Sequence, residues 1–334
     1  MNTKILQPSD QNIQTCARVI QNGGVVAFPT ETVYGLGADA RNERAVREIF
    51  RVKGRPSDNP LIVHVCDAEQ IEEVAQNISP AARKLMAQFM PGALTLVLEK
   101  KPNIPLCVTG GLSTVGVRMP SHPVCRSFLQ ACGVPVCAPS ANTSTLPSPT
   151  AAAHVLRDLQ GKIPYVLDGG ICEIGVESTI LDMSGKTPRL LRAGGVSREA
   201  LEKACGCRIE NAARSDRALC PGMKYKHYSP RANVLFSAYY SGMEEGIARC
   251  YDMLAQEGKR PVILCLDARV PAYGTRNVYA MGKDSGGYAH NLFASLRRAD
   301  DDGFDTVIAE GVADTGVGEA IINRLVKSSG GQII

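Results

Sequence analysis

The sequence contains no tryptophan, and aromatic residues make up only 5% of its 334 residues. RNA-binding modules use aromatic side chains as stacking platforms, so this scarcity argues against RNA binding as the main role. The formal charge is close to balanced, with 37 basic and 33 acidic residues and a net charge of +4. That balance excludes a nucleic-acid coat protein and a protein devoted to a membrane surface.

Paired cysteines are also missing. The twelve cysteines are spread singly, and the two that lie closest together are Cys205 and Cys207. A structural zinc site needs paired ligands, and a secreted disulfide scaffold is shorter and denser in cysteine. No signal-peptide core follows Met1, and no apolar run approaches the roughly 18 residues of a membrane span. We therefore expect a reduced, soluble, cytoplasmic protein.

Familiar catalytic motifs are absent too. The sequence has no P-loop, no Gly-x-Gly-x-x-Gly after a strand, no His-Glu-x-x-His and no Gly-x-Ser-x-Gly. The scattered histidines give no support to a Ser-His-Asp triad. Acidic residues are missing from residues 100–157, a stretch of 58 residues that holds five basic ones. That stretch suits an anionic ligand, because an Asp or Glu there would repel a phosphate or a carboxylate.

Two patterns of strands and helices are present. The first predicts an α/β domain with a mixed, twisted sheet and flanking helices, since several strands follow one another without a helix between them. Its predicted strands lie at residues 25–28, 61–65, 94–98, 115–118, 134–138, 165–167, 179–182 and 189–191. The second pattern begins at Asn233 and alternates regularly between strand and helix, which predicts a smaller, open, Rossmann-like α/β domain.

The length of the chain suggests two domains, at roughly 150 residues for each. Between the two patterns the apolar period lapses, and the stretch is rich in Arg and Lys. We predict a catalytic domain at residues 1–205, a basic linker at 206–231 and a C-terminal α/β domain at 232–334.

Polar side chains follow the predicted strands at residues 28–37, 53–60, 109–120, 136–144 and 175–194. Each place alone has an ordinary structural explanation, such as a turn, a helix cap or the solvated end of a helix. Together they show one recurring arrangement, in which a strand ends beside hydroxyl groups and a few positively charged side chains. Such a cleft suits a polyanion and a small polar molecule, which favours ATP with a second substrate and Mg²⁺ held mainly by phosphates.

Three cations and one histidine stand out in these segments. Lys53 and Arg55 direct two positive charges at a small volume, as a phosphate or carboxylate site requires. Arg118 points away from the core if Val117 faces it, because side chains alternate along a strand. His64 lies inside an apolar strand, where a packed, hydrogen-bonded histidine is more common than a catalyst.

These segments resemble the L-threonylcarbamoyladenylate synthases, whose catalytic domain is YrdC-like. The resemblance covers nearly the whole chain and includes the hinge and C-terminal helix of two-domain members. The motifs that carry it are Pro29–Leu36, Lys53–Pro56, Asn59–Leu61, Arg118–Pro120, Ser140–Asn142, Arg192–Gly194, Pro221–Pro230 and Gly318–Leu325.

The resemblance implies a reaction. L-threonine and bicarbonate would give N-carboxy-threonine, whose carboxylate attacks the α-phosphorus of ATP and releases pyrophosphate, leaving threonylcarbamoyl-AMP. Separate proteins would then transfer the threonylcarbamoyl group to an adenosine in tRNA. Such a reaction needs no covalent enzyme intermediate, so positioning and electrostatic stabilisation would carry it.

The resemblance also implies site residues. Lys53 and Arg55 are the expected catalytic pair, holding bicarbonate or the α-phosphate. Tyr228 would close over the nucleotide, which makes the linker a candidate lid. The expected threonine contacts are Thr32, His64, Arg118, Ala138 and Ser178. The expected ATP contacts are Arg55, Asn59, Thr114, Ser140, Ser148, Arg192 and Tyr228.

Two other functions stay open at this point. A cationic concave surface also suits tRNA or double-stranded RNA, which would make the chain a binding module without synthase activity. Carbamoyl transfer from carbamoyl phosphate is a weaker alternative, because the related domains that perform it belong to zinc-finger proteins and no such cysteine pattern is present.

Overall fold

The structure is a computed structural model that describes residues 2–212, 219–221 and 227–334. The chain forms two compact units. Unit 1 consists of Met1–Ser144, Pro149–Glu173 and Glu177–Lys224, and unit 2 consists of Thr145–Ser148, Ile174–Val176 and Tyr225–Ile334.

Unit 1 is an α/β unit, as the sequence predicts. Its strands are β1 (Lys4–Leu6), β2 (Val26–Phe28), β3 (Gly35–Asp39), β4 (Ile62–His64), β5 (Ala75–Gln76), β6 (Leu94–Lys100), β7 (Thr114–Arg118), β8 (Val136–Ala138), β9 (Tyr165–Leu167), β10 (Thr179–Asp182), β11 (Arg189–Arg192) and β12 (Glu210–Asn211). Its helices are α1 (Asp10–Gln21), α2 (Glu43–Lys53), α3 (Ala68–Val74), α4 (Pro80–Phe89), α5 (Leu106–Thr109), α6 (Pro123–Cys132), α7 (Ala152–Leu159) and α8 (Arg198–Cys205).

The strands of unit 1 form one mixed sheet within the described residues. Its order is β1-β9-β2-β3-β8-β4-β7-β6-β10-β11-β12, and β5 pairs with β6 away from this path. The central strand β4 runs parallel to β7 and antiparallel to β8, so that His64 lies opposite Arg118 and Val136. The carboxyl ends of β4 and β7 therefore lie side by side, where ligands of α/β sheets bind.

The two faces of this sheet are covered differently. One face carries the larger core, in which Val63, Leu96 and Val117 pack with apolar residues of the helices. On the other face, helices α1 and α6 pack against strands β2, β8 and β9, with residues such as Phe128 in the contact. Over β4, β6 and β10 that face packs instead against Cys220. His64 and Arg118 lie on this same face, beside the apolar cluster, and they mark the candidate site.

The strand β3 was not predicted, because its Gly-Leu-Gly sequence has low strand propensity. A Cβ atom on Gly37 would lie 2.7 Å from Val136 Cγ1 and 2.8 Å from Phe28 Cε1. Glycine is required there because the neighbouring side chains already fill the space that a side chain on residue 37 would need. The short elements β1, β5, β12, α5 and α8 were missed as well.

Unit 2 carries the predicted open sheet. Its strands are β13 (Asn233–Phe236), β14 (Pro261–Cys265), β15 (Val278–Ala280) and β16 (Thr306–Ala309), all parallel and in the order β13-β16-β14-β15. Its helices are α9 (Met243–Gln256), a 3₁₀ helix (Asp267–Tyr273), α10 (Ser285–Asp301) and α11 (Gly318–Ser328). In the described part of the chain, no helix combines the length and hydropathy needed to span a membrane.

The predicted three-part division needs correction in two respects. Two short segments, 145–148 and 174–176, belong to unit 2. There the buried Arg297 donates from Nη2 to Pro147 O at 2.5 Å, a contact between distant parts of the sequence that composition does not reveal.

The predicted linker, 206–231, also contains a strand. β12 lies within it and pairs in parallel with β11. The apolar pattern lapses there because both side chains of β12 are exposed. Residues 213–218 and 222–226 of this linker lie outside the described residues.

Candidate active site

Strand alternation brings four of the predicted site residues of unit 1 to one face of the sheet. His64 lies opposite Arg118 in the β4–β7 register, and Ala138 lies opposite Ile62 in the β4–β8 register. Side chains of residues paired in this way share a face. Thr114 and Arg118 share it too, because they lie an even number of residues apart on β7.

Arg118 is buried and forms an ion pair with Glu31. The two side chains are each 4% exposed, and Arg118 Nη2 lies 2.7 Å from Glu31 Oε1. Arg118 Nε donates to Gly92 O, and the backbone N–H of Ser121 donates to Glu31 Oε2. A guanidinium group has five N–H donors, so Arg118 keeps donors for a ligand beyond this ion pair.

His64 is a neutral group beside this ion pair. Burial and the neighbouring positive charge of Arg118 lower the pKa of His64 to about 3, from an ordinary value of 6.5. Its ring packs edge-on against Phe28, with the centroids 5.8 Å apart. Backbone hydrogen bonds with Ile62 and Val136 act in the opposite direction and raise the pKa of His64.

The loop after β2 brings hydroxyl groups close to the same place. Thr30 donates from Oγ1 to Val33 O at 2.6 Å, and its oxygen lies 2.8 Å from Thr32 Oγ1. The single proton of Thr30 is used on Val33, so the proton between the two threonines comes from Thr32. This turn fixes Thr32, a predicted threonine contact, in a buried position.

Lys53 holds the loop that follows β8. Its Nζ atom donates to Ser140 O and to Asn142 O, both at 2.5 Å, and the side chain is 2% exposed. Ser140 Oγ in turn donates to Asn142 Oδ1. Lys53 therefore positions the Ser140–Asn142 loop, whereas its predicted catalytic role stays a prediction.

A small pocket, with room for about one water molecule, lies in unit 1 on the site face of the sheet. Its walls are apolar with a few hydroxyls, and Thr114 is the only predicted ATP contact among them. The residues that form the walls are Pro60, Leu61, Ile62, Thr95, Val97, Thr109, Leu112, Thr114, Val115, Gly116, Ile180, Leu219, Cys220 and Pro221.

Asn59 and Arg55 adjoin this pocket through Pro60, one of its wall residues. Asn59 is 1% exposed, and its Oδ1 atom has no hydrogen-bond partner in the part of the chain that is described. Arg55 donates from Nη2 to Pro60 O at 3.1 Å. The loop thus presents one amide and one guanidinium beside the pocket.

Ser178 and Arg192 form a further polar group in unit 1. Arg192 donates from Nη2 to Ser178 O at 2.9 Å and to Ser178 Oγ at 3.2 Å. Ser178 Oγ also lies 2.8 Å from Thr95 Oγ1, and Thr95 lines the pocket. A Cβ atom on Gly194 would lie 2.3 Å from the backbone around Ser178, so only glycine allows this approach.

Two predicted contacts, Ser148 and Tyr228, belong to unit 2. Ser148 is buried in the segment 145–148. The ring of Tyr228 stacks on Phe293 with the centroids 5.1 Å apart, and Tyr228 O accepts from Ser328 Oγ. The predicted movement of Tyr228 over a nucleotide stays a prediction.

Among the described residues, no group of three or more His, Cys, Asp or Glu side chains is placed to hold a metal ion. The site instead offers hydroxyls, amides and guanidinium groups, which suit anions and polar substrates. Glu31 is the residue of this site that the sequence analysis left without a role. Its place in the cluster Thr30-Glu31-Thr32 was the available signal.

Two family models match this chain. A family model described as telomere recombination, which groups Sua5, YciO and YrdC, matches residues 18–194. A second, described as the C-terminal domain of threonylcarbamoyl-AMP synthase, matches residues 196–330.

Similar proteins match along nearly the whole chain. Threonylcarbamoyl-AMP synthase of Bacillus subtilis is 43% identical over 338 residues, which cover 99% of this chain and 97% of the relative. That of Pyrococcus abyssi is 44% identical and covers 96% of this chain and 95% of the relative. The crystal structure of Pyrococcus abyssi Sua5 complexed with L-threonine has a TM-score of 0.94 and 42% identity, and the match covers 100% of this chain and 99% of that one.

Proposed function

The chain belongs to the threonylcarbamoyl-AMP synthase family, and we propose that unit 1 binds L-threonine, bicarbonate and ATP and joins them with release of pyrophosphate. The product, threonylcarbamoyl-AMP, serves the modification of adenosine in tRNA. The observation that carries the substrate assignment is the buried guanidinium group of Arg118, which lies opposite His64 in the β4–β7 register and has N–H donors beyond its ion pair with Glu31.

L-threonine is proposed to bind at Arg118. A guanidinium group binds a carboxylate through paired N–H donors, so Arg118 takes the threonine carboxylate. Thr32, His64, Ala138 and Ser178 surround the rest of the amino acid. The complex of the Pyrococcus abyssi relative with L-threonine supports this substrate.

ATP is proposed to place its adenosine against the surface around Thr114. The apolar residues of the small pocket there suit a base, and Asn59 Oδ1 beside the pocket can accept from an amino group. Arg55 and Arg192 are proposed to take phosphates. Ser140, in the loop that Lys53 holds, is a further proposed contact. The sequence also predicts Ser148 and Tyr228 as ATP contacts.

Positioning is the proposed source of catalysis. N-carboxy-threonine, formed from threonine and bicarbonate, presents its new carboxylate to the α-phosphorus of ATP, and pyrophosphate leaves. Arg55 stabilises the charge that develops on the phosphoryl oxygens. Mg²⁺ would enter on the ATP phosphates and neutralise part of their charge.

The test is pyrophosphate release by the purified full-length protein. We expect release only when ATP, L-threonine and bicarbonate are all present, and we expect Arg118→Gln to abolish this threonine-dependent release. Release without threonine would contradict the proposal. Tight RNA binding with no release at all would favour the RNA-binding alternative.

A further inference from the structure

We propose that Cys205 and Cys207 form a reversible dithiol–disulfide pair, which peroxides or oxidised glutathione oxidise. Neither cysteine is among the residues proposed to bind threonine or ATP, so the inference does not depend on the proposed function. Disulfides in reducing compartments are usually transient and take part in redox catalysis or redox sensing. Such a pair fits a protein that is otherwise reduced, because the bond forms only when an oxidant is present.

The backbone holds the two cysteines at the spacing that a disulfide needs. Helix α8 ends at Cys205, and its C-cap residue Gly206 has φ 71° and ψ 20°, in the left-handed region. The dihedral angles of the middle residue set the distance between the Cα atoms on either side of it. Left-handed helical angles give the same distance as their mirror image in an α-helix, about 5.5 Å. Disulfides usually join Cα atoms about 4.4–6.8 Å apart, so the turn is compatible with the bond.

The side chains of the pair also face each other. Burial raises the pKa of the Cys205 thiol, and a side-chain hydrogen bond with Cys207 raises it further. A hydrogen bond raises the pKa of the group that donates the proton, so the Cys205 S–H is directed at the sulfur of Cys207. The two atoms that the disulfide would join are therefore already neighbours in the reduced protein.

The two thiols differ in exposure, which assigns their roles. Cys207 is exposed and meets an oxidant first, whereas Cys205 is half-buried. Redox-active cysteines typically combine one accessible thiol with a second thiol that resolves the oxidised intermediate. The positive charge of Lys84 opposes burial and lowers the pKa of Cys205, while Glu202 raises it. Lys84 thus assists the loss of the Cys205 proton when this thiol attacks.

The oxidation balances with one molecule of hydrogen peroxide for each pair. The Cys207 thiolate attacks one oxygen of the peroxide, which gives a sulfenic acid and, after proton uptake, one water molecule. Cys205 then loses its proton and attacks the sulfenic sulfur, which forms the S–S bond and releases a second water molecule. With oxidised glutathione, the same two attacks give a mixed disulfide and then the internal one, and they release two molecules of glutathione.

The test is mass spectrometry of one tryptic peptide from the full-length protein. Residues 204–208, Ala-Cys-Gly-Cys-Arg, follow Lys203 and hold both cysteines and no other. The reduced protein is treated with oxidised glutathione, and the remaining thiols are alkylated before digestion. We expect two alkyl groups on this peptide before treatment, and an internal disulfide with no alkyl group after it. Dithiothreitol should restore both alkylation sites. A peptide that stays doubly alkylated would overturn the proposal.

The variant Cys205→Ser separates an internal disulfide from ordinary thiol oxidation. It keeps the exposed thiol of Cys207 but removes the thiol that displaces glutathione from it. Displacement within one turn has a high effective concentration, so we expect the glutathione adduct on Cys207 to last at least about tenfold longer in the variant than in the parent protein. Equal lifetimes of the adduct would contradict the pairing.

The variant Gly206→Val tests the contribution of the turn. A Cβ atom on Gly206 would meet nothing within 4 Å, so the substitution acts through the backbone, because a β-branched residue disfavours a positive φ. Both thiols remain, and we expect the internal disulfide to form more slowly than in the parent protein. An unchanged rate would contradict the role of the left-handed turn.

The matched control is Cys250, another half-buried cysteine. Burial alone raises its pKa, without a contribution from a second thiol, and it is the single cysteine of the tryptic peptide 250–259. We expect Cys250 to remain alkylatable under conditions that oxidise the pair fully. Oxidation of Cys250 at the same rate would show that exposure to the oxidant, rather than pairing, explains the loss of thiols.

Discussion

Because His64 stays neutral in the folded protein, the free energy of unfolding decreases at acidic pH. Between about pH 6.5 and pH 3 the unfolded chain protonates this histidine, whereas the folded protein keeps it neutral. The unfolded state then binds more protons, so the free energy of unfolding falls as the pH is lowered through this range. One pH unit corresponds to about 1.4 kcal/mol for a single group.

We therefore predict that His64→Gln makes stability less sensitive to acid. Between pH 7 and pH 5 the parent protein should lose about 2 kcal/mol more unfolding free energy than the variant. Urea unfolding of both proteins at the two pH values measures the difference. Equal losses in the two proteins would show that His64 is not the group responsible.

Lys53 leads to a second prediction at the residue scale. Lys53→Met leaves the carbonyl groups of Ser140 and Asn142 without the ammonium donor that they share. We expect the free energy of unfolding to fall by about 2–4 kcal/mol, because buried acceptors lose their partner.

The matched control for this prediction is Lys100→Met. Lys100 also donates to a carbonyl, Ile104 O at 3.0 Å, but it is half-buried. Chemical denaturation should show a loss below about 1 kcal/mol for the control, because water can replace the donor. Similar losses in both variants would contradict a loop-holding role for Lys53.

Predictability from sequence differs from one element to another. Strands such as β9 and β10 were predicted to the residue, because apolar β-branched runs bounded by turns indicate buried strands. β3 was missed, because the reason for its glycines lies in the side chains of other strands. The register of the strands places several of the predicted site residues on one face of the sheet. The pairing of Glu31 with Arg118 depends instead on tertiary packing, which local sequence patterns do not reveal.

β3 also gives a prediction at the element scale. Gly37→Ala places a methyl group within 2.8 Å of Val136 and Phe28, and overpacking of this kind costs about 1–3 kcal/mol. Thermal unfolding should show the loss. The control Gly185→Ala meets nothing closer than Thr187 O at 4.0 Å and should change stability little. Equal melting temperatures for the two variants would contradict the close packing of β3.

On the scale of the whole molecule, unit 2 is assembled from three separate parts of the chain. Within it, Ser229 donates from its backbone N–H to Thr145 O at 2.9 Å, and Arg297 donates to Pro147 O. A Cβ atom on Gly175 would lie 2.5 Å from the backbone of His290, so these two stretches of backbone are in close contact.

We therefore predict that cutting the linker does not release the C-terminal part of the chain. A protease site inserted into the predicted linker 206–231 and cleaved completely should leave two fragments that co-elute in native size-exclusion chromatography. In urea the same fragments should elute separately, which controls for complete cleavage. Separation in native buffer would contradict the three-part construction of unit 2.

The same construction imposes an order on folding during synthesis. Pro147 and its donor Arg297 are 150 residues apart. At about 5–20 residues per second, the ribosome needs roughly 10–30 s to add the residues between them. The 145–148 segment therefore emerges long before the rest of its unit exists. A nascent chain paused soon after β12 has every strand of the first sheet but lacks the partners of this loop, which become available only near the end of translation.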